Sequence, residues 1–500
     1  MRHSCARPLA LAVLLGATLS AGEIETYLAR HLQKLQPGEG FHADLLDTAG
    51  KRMFLLGETH AVAGNEQLDL ALLRYLHRTA GVRFYLSEGG YAAGELMNRY
   101  LANGDEKLLD FLTDQMRGSP AWNRENRDFW KRLGEWNRGL PPADRVRVVG
   151  VDVEHQREVA WRYLSEVVGE RGPAPVAIRD VLARLSGPTG AAELDRDLAD
   201  SLATHRQAYA GLLGDRVEDF ELVVANLQKR DEYYRTNSRA FRERVLYETF
   251  RSVESRFPGA VWYGRWGSGH IPQRRIDDYD PFAILLQQDP EWKGKILSIW
   301  TLYLNSSRLD PEGYRSVPLN DDPTQTAPFA AAAGDSRLTL FRLDAAGSPL
   351  RIPNSLLTGG KGVPTDYVQY VALVQNASAA HPLHEQPESS LASARPVVVR
   401  TVPESGASDV APDLPKIRIT FSKQMHDPGW SFVIDPLFTF PAPSAQPQYQ
   451  SDRRTIVLPV KLQPGKTYGV WINSAQSQSF RDQQDRPAVP YLLVFQTRAP

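Results

Sequence analysis

Four short apolar segments of this sequence run directly into residues that can move protons or hold charge. FLLG (54–57) leads into Glu58-Thr59-His60, and FYLS (84–87) into Glu88. VVGV (148–151) leads into Asp152, Glu154 and His155, and VWYG (261–264) leads through a Gly-rich turn to His270. A neutral imidazole, with a pKa near about 6.5, can take a proton from water at physiological pH. A carboxylate beside it holds the tautomer and steadies the imidazolium. Positioned acid–base help is worth about 10²–10⁴-fold, enough for one histidine to sustain a slow hydrolase. The same residue types serve a second chemistry. His60 and His270 with Glu58 or Glu88 would make the three protein ligands of an open catalytic site for a divalent metal such as zinc or manganese. Spacing leaves both open, as it leaves open a site with no cofactor.

Two of the turns share a form, Gly57-Glu-Thr-His60 and Gly267-Ser-Gly-His270, in which glycine lets the chain turn sharply as it leaves a strand. The motifs of other chemistries are missing: there is no H-E-x-x-H, G-x-S-x-G, P-loop or G-x-G-x-x-G. His155-Gln-Arg-Glu158 could mimic a ligand pair, but a surface or first-turn role suits His155 better.

To act together, these groups need a sheet that delivers them to one edge. KRMFLLG (51–57), VRFYLSE (82–88), VRVVGVDVE (146–154), AVWYG (260–264) and KILSIWTLYL (295–304) read as short buried strands. A helix follows the first, with Asn65 as N-cap, Leu68, Ala71, Leu72, Tyr75 and Leu76 on one face, and Gly81 as its end. This alternation predicts an α/β domain over 22–380 with a largely parallel sheet, and ligands bind such sheets outside the carboxyl ends of the strands. A charged helical pattern over about 156–256 predicts a helical insertion covering one sheet edge. Trp122, Phe129, Trp130 and Trp136 have helical spacings and read as the core of a helical cover. Residues 381–394, HPLHEQPESSLASA, read as a linker in which His381 and His384 do nothing. Beyond it, VVVRTV, KIRITFS, RTIVLPV, TYGVWIN and YLLVFQT, separated by turns, predict an all-β sandwich over 395–500.

GETHAVAGNEQLDLALLRYLHRTAGVRFYLSEGGYAAGELMNRYLANGD resembles the first block of the erythromycin-esterase-like superfamily, and GVDVE (150–154), FRERVLYETF (241–250) and GSGH (267–270) extend the likeness over about 50–305. Relatives include haem-binding surface lipoproteins and metal-dependent proteases of the pheromone-shutdown and Wnt-inactivating type. The resemblance implies His60 as general base with Glu58 beside it, Glu88 as the second-strand acid and His270 as the late histidine. It also implies Arg242-Glu243 as a helical charged pair closing over the pocket, where Arg242 would grip a substrate oxyanion, carboxylate or phosphate. Asp152 and Glu154 complete the expected substrate-binding set. Two departures stand out. The esterases carry a residue between Glu and Thr-His and a glycine after His, where this chain has GETHA; the helical motif often has Met where this chain has Leu246. The first alters the geometry around the base and argues against macrolide-ring opening. The tail resembles the bacterial Ig-like domain of S-layer and surface proteins through PVVVRTVPESGASDVAPDLPKIRITFSKQM, LQPGKTYGVWI and FQT. That implies a spacer or adhesion unit in contact with the cell envelope.

Composition bounds the rest. The chain has 500 residues, 42% hydrophobic, with Lys+Arg 58 against Asp+Glu 59, so wholesale disorder and an electrostatic nucleic-acid partner are both excluded. Arg2 and Arg7, the apolar run Leu9–Leu19 and the small residues Ser20-Ala21-Gly22 predict a secretory signal peptide over 1–21. Its removal would take away Cys5, the only cysteine, and leave no thiol for a disulfide or thiolate site. No other stretch is long and apolar enough for a membrane helix. The expectation is an exported periplasmic, extracellular or cell-surface hydrolase of an ester or amide in a small molecule or peptide. A haem-type ligand-binding protein without turnover and an adhesion protein with a vestigial pocket are the alternatives.

Overall fold

The computed structural model describes residues 21–35, 41, 44–186, 191–358, 360, 362–385, 393–427, 429–474 and 477–500. The expected signal peptide falls, but for Ala21, outside these residues. The chain divides into two compact units, 1–385 and 386–500, each with its own apolar core.

The first unit is built on an eight-stranded, mostly parallel sheet. Its strands are β1 (Leu32–Lys34), β2 (Met53–Glu58), β3 (Phe84–Gly90), β4 (Arg147–Asp152), β5 (Trp262–Gly267) and β6 (Ile296–Leu304), then β9 (Leu338–Arg342) and β10 (Tyr370–Gln375). A separate antiparallel hairpin supplies β7 (Ser306–Leu309) and β8 (Ser316–Leu319). The order across the sheet is β1-β9-β10-β6-β2-β5-β3-β4. From β10 to β4 every neighbouring pair is parallel, and β9 and β1 add an antiparallel edge. Every residue of β2 is buried, as an apolar strand covered on both faces must be.

Helices cover the sheet: α1 (Ala21–Arg30), α2 (Asn65–Thr79), α3 (Tyr91–Asn103), α4 (Glu106–Asp114) and α5 (Arg124–Arg138). Between β4 and β5 come α6 (Arg157–Gly169), α7 (Val176–Ala183), α8 (Ala191–Leu213), α9 (Val217–Thr236) and α10 (Arg239–Glu254), and α11 (Phe282–Gln288) follows β5. The start of α2 differs from expectation. Asn65 is its first helical residue, not its cap; Gly64 holds the cap position at φ 108, a left-handed conformation, without a side-chain bond. Asn65 instead uses its side chain to tie the Thr59 carbonyl and the Tyr303 hydroxyl together beside the first site loop. Phe129 and Trp130 do lie in the core, packed 5.1 Å apart on α5. The two linker histidines are not idle: His381 lies 2.6 Å from Glu125 and His384 2.6 Å from Asp114, so both are bound to the first unit.

Helix α3 packs on β4 backbone against backbone. A Cβ on Gly94 would come within 2.6 Å of the Gly150 nitrogen, and one on Gly150 within 2.0 Å of the Gly90 carbonyl oxygen. No flexible side chain is there to yield. Gly150→Ala is therefore expected to cost at least the ~1–3 kcal/mol typical of overpacking, read as a lower midpoint in denaturant unfolding. An unchanged midpoint would contradict the close approach.

The second unit is all β. One sheet has the order β11-β12-β15-β14, from β11 (Val398–Val402), β12 (Lys416–Phe421), β14 (Gln448–Tyr449) and β15 (Thr455–Pro459). The other has β13-β16-β17, from β13 (Phe432–Ile434), β16 (Thr467–Ile472) and β17 (Tyr491–Gln496). The pairings between these strands are antiparallel, and Ile417, Ile419, Ile456, Leu458, Val470 and Leu493 fill the core between them. The expected strands are present; β13 and β14, three and two residues long, are too short to register as strands by pattern.

Candidate functional site

The site forms where the parallel sheet opens. β3 and β5 pair only at Phe84–Trp262 and Tyr85–Tyr263, then separate. Backbone groups freed there still need partners. The Leu86 carbonyl accepts from the Trp266 indole N–H at 2.8 Å, and the Gly267 N–H donates to Glu88 Oε2 at 2.8 Å. Glu88, at an irregularity in the β3–β4 register, thus takes the place of a missing ladder acceptor. Its other oxygen accepts from Arg242 Nη2 at 2.7 Å and lies 3.1 Å from His270 Nε2. Burial alone would raise this carboxyl, but the charges of His270, Arg242 and His60 outweigh it and hold Glu88 well below the usual range.

Glu58 ends β2 and His60 follows in the loop. His60 Nδ1 is 2.8 Å from Glu58 Oε1, and its Nε2 faces Glu88 Oε2 at 3.8 Å. Burial would lower the imidazole, yet the hydrogen bond to Glu58 and the charge of Glu88 raise it. Glycine matters here for space. Gly57 and Gly267 both have negative or extended backbone, but a Cβ on Gly57 would strike Ile271 at 2.5 Å, and one on Gly267 would reach His60 Nε2 at 3.1 Å. The left-handed position is Ala61, at φ 64, one residue after the histidine. An alanine thus holds the conformation that glycine would adopt without strain.

A buried cation that the sequence reading missed organises the floor. Arg265 on β5 donates from Nη1 to Glu58 Oε2 at 2.9 Å and to Glu66 Oε1 at 3.1 Å, and from Nε to Asp69 Oδ2 at 2.9 Å. Asp69 also accepts from the hydroxyls of Tyr85 and Tyr263, each at 2.8 Å. The signal was available: Glu66 and Asp69 are one turn apart on α2, and alternation puts Tyr263 and Arg265 on the same face of β5.

On the other side, Arg242 at the start of α10 grips Asp152 through Nε, at 2.9 Å, and Nη2. Asp152 is fully buried and is held far below its ordinary range: burial opposes, and Arg242 and His155 prevail. His155, expected in a surface or first-turn role, lies two residues before α6 and places Nε2 3.1 Å from Asp152 and Nδ1 2.9 Å from the Tyr234 hydroxyl, so it is a strut between β4 and α9.

A cavity of about 370 Å³ lies over these groups. Of the eight residues expected at the site, Glu58, His60, Glu88 and Arg242 line it, together with Glu66, His155, Trp130, Tyr233, Tyr234 and Arg265. The other four do not. His270 stands behind Glu88, and Asp152 behind Arg242. Glu243 faces His270 Nδ1 at 2.7 Å, close enough for an ion pair though not aligned as a hydrogen bond, and accepts from the Phe282 N–H that begins α11. Glu154 accepts the Ala92 N–H at 3.1 Å in the first turn of α3, and burial pushes its carboxyl up to about 8. These two act on helix ends rather than on a ligand. His60 is the exposed member of its pair, its side chain 41% accessible against 5% for Glu58.

The donor set does not fit zinc or manganese. Among the described residues no group of three or more His, Cys, Asp and Glu is arranged to hold a metal ion. Both nitrogens of His270 face carboxylates, and Arg265 and Arg242 already occupy Glu58 and Glu88.

His270 titrates as a structural cation. Burial would lower it, but Glu88 and Glu243 raise it to about 10, from an ordinary value near 6.5. A group raised in the fold contributes stability that is whole below its unfolded pKa and lost as pH rises through the folded one. Stability is therefore expected to fall between about pH 6.5 and about 10, and His270→Gln should remove most of the slope above about pH 8, where the raised carboxyls no longer contribute, in urea unfolding. A variant with the wild-type slope would put the titrating group elsewhere.

Comparisons with known proteins agree with this architecture. Residues 392–497 match the family model of the bacterial Ig-like domain. A crystal structure of a Bacillus cereus protein is similar to 74% of this chain and 100% of its own, at TM-score 0.56 and 14% identity. That of a succinoglycan biosynthesis protein covers 73% of this chain and 99% of its own, at TM-score 0.56 and 15% identity. A mutant of the erythromycin esterase EreC in its open conformation aligns over 68% of this chain and 94% of its own, at TM-score 0.49 and 13% identity. No curated protein sequence matches. The chain therefore joins an α/β unit of the fold seen in the first two structures to a bacterial Ig-like domain. No helix among the described residues is long and apolar enough to cross a membrane.

Proposed function

We propose that the first unit is a hydrolase of ester or amide bonds in which His60 activates water. The observation that carries this reading is the Glu58–His60 pair: Nδ1 is fixed at 2.8 Å by a buried carboxylate, and the ring is open to a 370 Å³ cavity. Fixing one nitrogen leaves Nε2 as the acceptor for a proton from water, and Glu58 steadies the imidazolium that forms. Arg242 lines the same cavity and offers a cation to an oxyanion, although Glu88 and Asp152 already share it. Met97, Met116, Ala93 and Trp130 give the cavity an apolar wall suited to a hydrocarbon group. The tail resembles modules of surface proteins, which supports export and a place at the cell envelope.

The test is turnover of a panel of esters and amides by the purified full chain, with and without chelator. Hydrolysis that survives chelation supports the reading. No turnover above buffer would sink it, and strict metal dependence would sink the imidazole mechanism.

A further inference from the structure

Three carboxyl groups crowd one guanidinium, and their hydrogen bonds are unequal. Glu58 has one oxygen on His60 and the other on Arg265. Asp69 has Tyr263 on one oxygen and Tyr85 with Arg265 on the other. Glu66 has Arg265 on Oε1, with its own backbone N–H as a further donor; its Oε2 is buried and has no partner among the described residues. A buried carboxylate oxygen without a donor is costly, so the proton of this cluster belongs on the group that has one, Glu66. Glu66 then carries an O–H that no protein atom receives, and Glu66 lines the cavity that His60 faces. The Trp130 indole N–H, also buried without an acceptor, lines the same cavity. Two donors lacking acceptors call for a ligand that brings one.

We propose that Glu66 is the acid partner of His60, giving its proton to the leaving oxygen of an ester of an unactivated alcohol. The inference rests on the hydrolase reading. Water loses a proton to His60 Nε2 and its oxygen bonds to the acyl carbon. The bond from that carbon to the alkoxide oxygen then breaks, and the Glu66 proton converts the alkoxide into an alcohol. Release of the imidazolium proton to solvent and uptake of one by Glu66 restore the site. An ester suits the pair of donors better than an amide, whose leaving nitrogen would set its own N–H against them. The groups facing Glu66 are Arg265 on β5, Glu58 on β2 and Asp69 on its own helix; burial, which Glu58 and Asp69 reinforce and Arg265 and the Glu66 backbone N–H oppose, pushes it up to about 7. Turnover of an alkyl ester thus needs His60 neutral and Glu66 protonated, a bell-shaped profile.

The experiment compares the ethyl and p-nitrophenyl esters of one acyl group, with wild type and Glu66→Gln, across pH. A nitrophenolate leaves without protonation. The expected result is a loss of about 10²-fold or more on the ethyl ester, little change on the nitrophenyl ester, and no alkaline fall above about pH 7 in the variant. The wild-type minus variant infrared difference spectrum should show a protonated carboxyl band, over and above the one that buried Glu154 contributes to both proteins. Equal losses on both esters, or no such band, overturn the inference and leave the hydrolase reading standing. A wild type that cleaves neither ester overturns both.

Discussion

Replacing His60 with alanine is expected to lower kcat/KM for ester hydrolysis by about 10²–10⁴-fold and to leave the unfolding midpoint close to wild type. Both halves follow from geometry. His60 is the half-exposed member of its pair, and its removal orphans no buried charge. Glu58 keeps Arg265, and Glu88 keeps Arg242, His270 and the Gly267 N–H. Steady-state kinetics beside urea unfolding would separate the two effects. Turnover that survives intact would remove His60 from the mechanism, and a collapsed midpoint would make its role structural.

Arg265→Met is expected to do the reverse, costing about 3–5 kcal/mol of stability at neutral pH, because breaking a buried ion cluster leaves its acids uncompensated. Glu58, Glu66 and Asp69 are each less than a tenth exposed and share this single guanidinium. Without it, the pKa of each carboxyl in the fold must rise. An acid raised in the fold destabilises above its unfolded pKa, so the deficit should shrink as pH falls and protons neutralise the cluster. Urea unfolding of wild type and variant at neutral and mildly acidic pH is the measurement. A deficit that is small, or constant with pH, would contradict the charge account.

The apolar runs made the sheet legible. MFLLG, VVGV and ILSIWTLYL are buried on both faces, so period and composition agreed with their environment. Their C-terminal residues were legible too, since position after such a strand is a geometric statement. What escaped were relations across the sheet. Arg265 sits inside a strand, between Tyr263 and Trp266, where a charge has no linear motif to announce it. Its partners come from β2 and α2, about two hundred residues earlier in the chain. Similarly, the strand-end rule named His270 and Asp152 but could not tell that Glu88 and Arg242 stand between them and the cavity. The glycines of the two G-x-x-H turns were noticed for turning, whereas close contact with Ile271 and His60 is what requires them.

The pairs that make the site join distant parts of the chain: Arg242 and Glu88 are 154 residues apart, and Arg265 and Glu58 are 207 apart. Closing such loops costs entropy, so these pairs hold only while the sheet and helices that carry them are folded. Arg242 reaches the cavity only when α10 is docked on β4. Partial opening there would release Arg242 from Glu88 and Asp152 while β2, β6 and β10 remain paired. Under the proposed hydrolase reading, turnover is then expected to be a sensitive reporter of local integrity, lost at lower denaturant than the sheet itself.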